Sequence, residues 1–105
     1  EVNGSHISAP ALMPFETANI IRRSGQSGLV TLDAAAQAHA DLLRRALDLW
    51  AYEALAERAW ALRDNLTAYD ASSVALAELL DVPLVTLDAR MATAPGIRCE
   101  VRVPA

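Results

Sequence analysis

The amino-acid sequence predicts an α/β fold, a parallel sheet flanked by helices, in one small domain. Three observations carry this. Short segments of strand character alternate with segments of helical periodicity from one end of the chain to the other. Gly, Pro and Asn/Asp punctuate the joins between them. The 105 residues leave room for one core, with no internal repeat and no low-complexity tail. Alternating strands and helices imply right-handed crossovers and therefore parallel strands with helices on both faces.

Each element follows from its local chemistry. His6-Ile7-Ser8-Ala9 is a short extended segment ended by Pro10. Asn3-Gly4-Ser5 before it reads equally as a native loop or, with His6, as a cloning scar. Pro14 sits where a first helical turn tolerates proline, and a helix over 13–23 follows, stopped by Gly25 and Gly28. Thr31 is a candidate N-cap for a helix reaching Ala46, with the apolar stripe Leu32, Ala36, His39, Leu43 and Ala46. His39 in that stripe is expected to be a satisfied core histidine. Alternation over Leu47–Tyr52 predicts a strand.

A helix over 53–63 carries Leu55, Ala59 and Leu62 on one face, and Asp64-Asn65 ends it. The next helix, opened by Thr67-Ala68-Tyr69-Asp70 and running to Leu80, is apolar nearly all round and is therefore expected to be buried on most sides. Leu84–Leu87 is a strand, 89–94 a short helical turn, and Arg98–Val103 a last strand. Four short strands are few for a self-sufficient sheet.

Composition narrows the function. Thirteen Asp and Glu against nine Arg, with no Lys, give a net charge of −4, which argues against a general basic surface for gripping nucleic acid. A hydrophobic fraction of 53% with 21% charged residues belongs to a folding chain. The single Cys99 excludes an intramolecular disulfide and is expected to pack as a small hydrophobe. With no membrane-length apolar run and no signal segment, a soluble cytoplasmic domain is the expectation. Phosphate-cradling glycine loops, Cys/His zinc spacings and nucleophile elbows do not occur in the sequence. Trp50 and Trp60 read as core or interface residues.

Three acids share a context that bears chemistry. Glu16 lies in the first turn of the helix after the first strand, Asp70 heads the buried helix, and Asp88 ends the strand Leu84–Leu87. In an open parallel sheet such positions gather at the carboxyl edge, where ligand sites form. An acid near the interior needs a partner, and no arginine stands beside Asp70 in sequence; a divalent metal is one candidate. Glu16, Asn19 and Arg23 share one helical stripe, with Arg23 a weaker candidate for phosphate. The bland alternative is local: Thr67-x-x-Asp70 resembles a capping box, Asp88 an N-cap, and Glu16 an acid favoured by the helix dipole.

Beyond these residues the chain resembles a family. Asn65-Leu66-Thr67-Ala68-Tyr69-Asp70-Ala71-Ser72, then Val74-Ala75-Leu76-Ala77-Glu78, then Pro83-Leu84-Val85-Thr86-Leu87-Asp88-Ala89-Arg90, is similar to the C-terminal half of PIN-domain VapC toxins. Ala9-Pro10-Ala11-Leu12 through Phe15-Glu16 and Asn19–Arg23 resembles the family's segment around its glutamate, and the tail from Gly96 to Val103 fits too. The resemblance implies a PIN-like three-layer α/β domain over 1–105. It also implies a toxin endoribonuclease that hydrolyses RNA, commonly tRNA or rRNA, with Mg²⁺ or Mn²⁺ held by acids, here Glu16, Asp70 and Asp88. Thr86 matches a threonine that recurs near that site. The partners implied are a VapB-like antitoxin that inhibits the enzyme, the RNA itself and a second copy in a homodimer.

The sequence departs from the family at its start. The family's first acid ends a central first strand in an Asp-x-Ser-like motif, and nothing around Glu1-Val2-Asn3 matches it. The expectation is a domain lacking that strand and its helix, completed by a separate N-terminal fragment of the same protein, by strand exchange with a partner, or by a further stretch of chain. The alternative is a catalytically incomplete PIN-like chain that only binds an antitoxin or a dimer partner. Ser73 stands where the family often carries an aromatic residue.

Overall fold

The computed structural model describes residues 6–104 of the chain. The loop reading for Asn3-Gly4-Ser5 and the comparison at Glu1-Val2-Asn3 lie outside the described residues. The element order is β1 (His6–Pro10), α1 (Met13–Gln26), α2 (Leu32–Arg44), β2 (Ala46–Trp50), α3 (Tyr52–Ala61), α4 (Ala68–Leu80), β3 (Leu84–Val85), a 3₁₀ turn over Ala89–Thr93 and β4 (Val101–Arg102). Strands alternate with helices as expected. They pair as two separate two-stranded sheets, β1 with β2 and β3 with β4. The chain divides into two compact units, Glu1–Leu49 and Trp50–Ala105.

In the first unit, α1 begins with Pro14 in its first turn, where a missing N–H costs nothing. It runs to Gln26, one turn past the expected stop, because Gly25 is helical. A Cβ on Gly25 would stand 3.2 Å from the Ala35 Cβ, so this glycine lets α1 and α2 approach closely. The stop comes with Gly28, whose φ of +79° suits glycine. Thr31 caps α2 as expected, its hydroxyl accepting from the Ala34 N–H at 3.0 Å.

The apolar stripe of α2 is not a core. Leu32 and Leu43 are exposed at 73% and 72%, and His39 is exposed as well, which overturns its reading as a core histidine. The helix instead turns Ala35, Ala40 and Leu42 partly out of solvent. Neither α1 nor α2 buries a single side chain fully.

The second unit carries the core. One face of α4 packs Ala71 and Val74 with Ala59 and Leu62 from α3 and its end, and with Met91 from the 3₁₀ turn. Leu66, Leu84, Ile97, Cys99 and Val101 close over this cluster. A second cluster joins Leu55, Ala75 and Leu76, with Trp50 and Leu80 against it. Six residues of α4 are buried, in agreement with its nearly continuous apolar surface. Cys99 packs as the small hydrophobe expected, and burial pushes its thiol pKa up. Trp60 is exposed and stacks under the Arg63 guanidinium, 4.8 Å from the ring centre.

Strands β3 and β4 are parallel, with Leu84 opposite Val101 and Val85 opposite Arg102. The ladder uses Leu84 N–H to Glu100 O (2.8 Å) and Thr86 N–H to Arg102 O (3.0 Å). Both strands are shorter than expected, since pairing covers only these residues. A second tie holds the C-terminal segment to the helices. Arg58 on α3 forks onto Glu78 of α4 at 2.7 and 3.1 Å and also donates to the Gly96 carbonyl at 2.6 Å. Glu78 accepts the Arg98 N–H as well, at 2.8 Å. Gly96 makes this turn with a φ of +84°, a conformation that a side chain would strain.

Candidate functional site

Asp70 and Asp88 are placed by two different local devices in the second unit. Thr67 is the N-cap of α4, its hydroxyl accepting the Asp70 N–H at 3.2 Å, so Asp70 is fixed in the first turn. Its carboxylate is half-buried at the helix end where partial positive charge favours an acid. Asp88 follows β3 and is held from behind: its N–H donates to the Thr86 hydroxyl at 3.1 Å. Thr86, expected near the site by resemblance alone, therefore has a definite job in shaping the turn.

The capping reading of Asp88 is realised too. One carboxylate oxygen accepts the Arg90 N–H at 3.0 Å and so opens the 3₁₀ turn. A cap at this position does not exhaust the carboxylate. The Arg90 side chain adds two more bonds, Nε to Oδ1 at 3.0 Å and Nη2 to Oδ2 at 2.9 Å. This fork holds the Asp88 carboxyl below its ordinary pKa, with the backbone N–H of Arg90 contributing next. The Arg90 guanidinium is in turn stabilised first by Asp88 and also by the charge of Asp70.

Arg90 is thus a partner for Asp88 that sequence reasoning did not find. The signal was present: in Asp88-Ala89-Arg90 the chain turns sharply after a strand, which brings side chains two apart onto one carboxylate. A guanidinium already seated on both oxygens of Asp88 shows that the place at this carboxylate suits positive charge. Hard carboxylate oxygens from one or two acids, completed by water, also match what Mg²⁺ and Mn²⁺ take. Within each unit, among the described residues, no three His, Cys, Asp or Glu side chains stand close enough together to hold a metal ion.

Glu16 belongs to the first unit. It lies in the first turn of α1, exposed, its N–H bonded to the Leu12 carbonyl at 3.1 Å. The stripe expected to flank it is partly otherwise engaged. Asn19 accepts from Arg22 Nε (3.0 Å) and Nη2 (2.8 Å), and Arg22 also reaches Gln26 at 2.8 Å. Arg23 is exposed in the last turn of the helix.

A separate cavity of about 470 Å³ is lined by Glu78, Asp81, Pro83, Arg98, Cys99 and Glu100, among others. It opens at the C-terminal end of α4, some eight to eleven residues and about 15 Å along the helix from Asp70. The two acids are therefore not its lining.

Comparison with known proteins gives the chain a family. The model of the PIN domain family matches residues 2–97, across both units. Ribonuclease VapC1 of Mycobacterium tuberculosis is 41% identical, the match covering 91% of this chain and 73% of the relative. Ribonuclease VapC9 of the same organism is 34% identical, with 97% and 80% covered. Ribonuclease VapC12 is 31% identical, with 99% and 81% covered. With the family model matched along nearly its whole length and these relatives 31–41% identical to it, the chain belongs to the PIN-domain family, among the VapC-type proteins.

Proposed function

We propose that the protein is a toxin endoribonuclease, hydrolysing RNA phosphodiester bonds at a divalent cation held by Asp70 and Asp88, with Glu16 completing the set. The observation that carries the reading is that Asp70 and Asp88, from separate segments of one unit, are each fixed by a threonine hydroxyl, Asp70 in the first turn of α4 and Asp88 in the turn after β3. Relatives matched over most of their length bear the name ribonuclease, which fits the same chemistry.

A divalent ion bound there supplies charge to a scissile phosphate and lowers the pKa of an attacking water. Asp70 and Asp88 hold it, Mg²⁺ or Mn²⁺ being the ions their hard oxygens favour. Thr86 keeps the Asp88 main chain in the turn that presents its carboxylate. Glu16 would be the further acid that the family resemblance names, for orienting water or binding a second ion. The acidic balance of the chain does not conflict with an RNA substrate such as tRNA or rRNA, because the ion provides local positive charge.

In this reading a VapB-like antitoxin inhibits the enzyme in the cytoplasm, presenting a basic side chain that competes for the carboxylates. The protein pairs with a second copy of itself. Among the described residues no helix is long and apolar enough to cross a membrane.

The test is cleavage of end-labelled RNA with Mn²⁺, with chelator, and with Asp88→Asn. Products that vanish with the chelator and with the variant support the reading. Cleavage that survives either one contradicts it.

A further inference from the structure

We infer that Arg90 is a built-in rival of the divalent cation: its guanidinium occupies both oxygens of Asp88, and an ion must displace it to bind. The inference rests on the reading of Asp88 as a metal ligand and adds to it a residue that sets how readily the ion enters.

The geometry separates two roles of residue 90. Its backbone N–H caps the 3₁₀ turn through Asp88 Oδ1, and any residue other than proline would do the same. The side-chain fork is extra. With Nε on Oδ1 and Nη2 on Oδ2, it takes up both carboxylate oxygens in the planar pairing that suits guanidinium and carboxylate. While it is seated, a cation approaching Asp88 meets like charge and has no free carboxylate edge.

The fork is also built to leave. The Arg90 side chain is 91% exposed, against 34% for Asp88. Nothing packs the arginine in place, and an exposed pair of this kind is weak and screened by salt. A divalent ion carries twice the charge of the guanidinium, so it wins at sufficient concentration. Arg90 thus keeps the Asp88 charge compensated and its carboxylate aimed, at the cost of a higher ion concentration for loading. Once displaced, the guanidinium swings on an exposed arm beside the site.

The deciding experiment is Mn²⁺ titration by calorimetry at low salt on the full chain, comparing wild type, Arg90→Gln, Arg90→Lys and Asp88→Asn. Removing the fork should tighten Mn²⁺ binding about fivefold in Arg90→Gln, the size expected for release of an exposed ion pair. Arg90→Lys, which keeps the charge and loses the fork, should fall between, and the difference should shrink as salt is raised. A merely structural role for Arg90 would weaken binding or leave it unchanged, and either result overturns the inference. If Asp88→Asn binds Mn²⁺ as tightly as wild type, the assignment of Asp88 as a ligand fails first and the rivalry fails with it.

Discussion

The two units of the chain use similar helices in opposite ways. In the second, α3 and α4 bury Leu55, Ala59, Ala71, Val74, Ala75 and Leu76 against each other and the segments around them. In the first, α1 and α2 pack closely at Gly25 and Ala35, yet Phe15, Leu32 and Leu43 stay more than 70% exposed. An amphipathic pattern states which face of a helix seeks cover and not what covers it. Burial in α4 comes from residues apolar on nearly every side, so any neighbour suffices. The stripe on α2 needs a particular neighbour.

Stability should follow that contrast. The largest effect belongs to the core: Leu62→Ala or Leu76→Ala should cost about 3 kcal/mol through lost burial and the cavity left behind. Both tryptophans, Trp50 and Trp60, lie in the second unit, so tryptophan fluorescence in denaturant reads this loss directly. A loss under about 1 kcal/mol would mean that the packing around α4 is looser than described.

Next comes the tie across the second unit. Arg58→Ala removes three hydrogen bonds from a pair whose side chains are only 25% and 15% exposed, and should cost about 2 kcal/mol. The pair also fixes the sign of a pH effect. Arg58 chiefly, then the Arg98 N–H, hold the Glu78 pKa below its ordinary 4.5. Its stabilisation is therefore complete above that value and is lost as pH falls below 4.5 toward the folded value. Melts from pH 6 to pH 3 should show a decline in wild type that is reduced in Glu78→Gln. Equal declines would remove Glu78 as a cause.

Smaller again is the cap. Thr67→Ala should cost about 1 kcal/mol, since it leaves the Asp70 N–H without its side-chain acceptor. The smallest effect is expected in the first unit: Leu43→Ala should move the tryptophan-reported transition by less than about 0.5 kcal/mol. A shift as large as that of Leu62→Ala would show that the exposed face of α2 is covered in solution.

Much of this molecule was legible from sequence, for identifiable reasons. The buried helix over 68–80 declared itself by composition, and Thr31 and Thr67 by cap chemistry. Asp70 and Asp88 stood out because acids at a helix head and a strand end recur where ligands bind. The partner of Asp88 was harder to see. The Arg90 fork depends on a turn after Val85 that shortens the expected strand, and the Arg58–Glu78 tie spans 20 residues of sequence. His39 misled because a 3.6-residue period was equated with a core.

The central claim is that Asp70 and Asp88 form one cation site that serves RNA cleavage. Its most direct test is Asp70→Asn in the full chain, assayed for Mn²⁺-dependent cleavage of RNA beside a melting curve. The account predicts that cleavage is abolished while the transition stays close to wild type, because the Thr67 cap bonds the main chain of residue 70 and survives the change. Cleavage at the wild-type rate by a folded Asp70→Asn protein would contradict it.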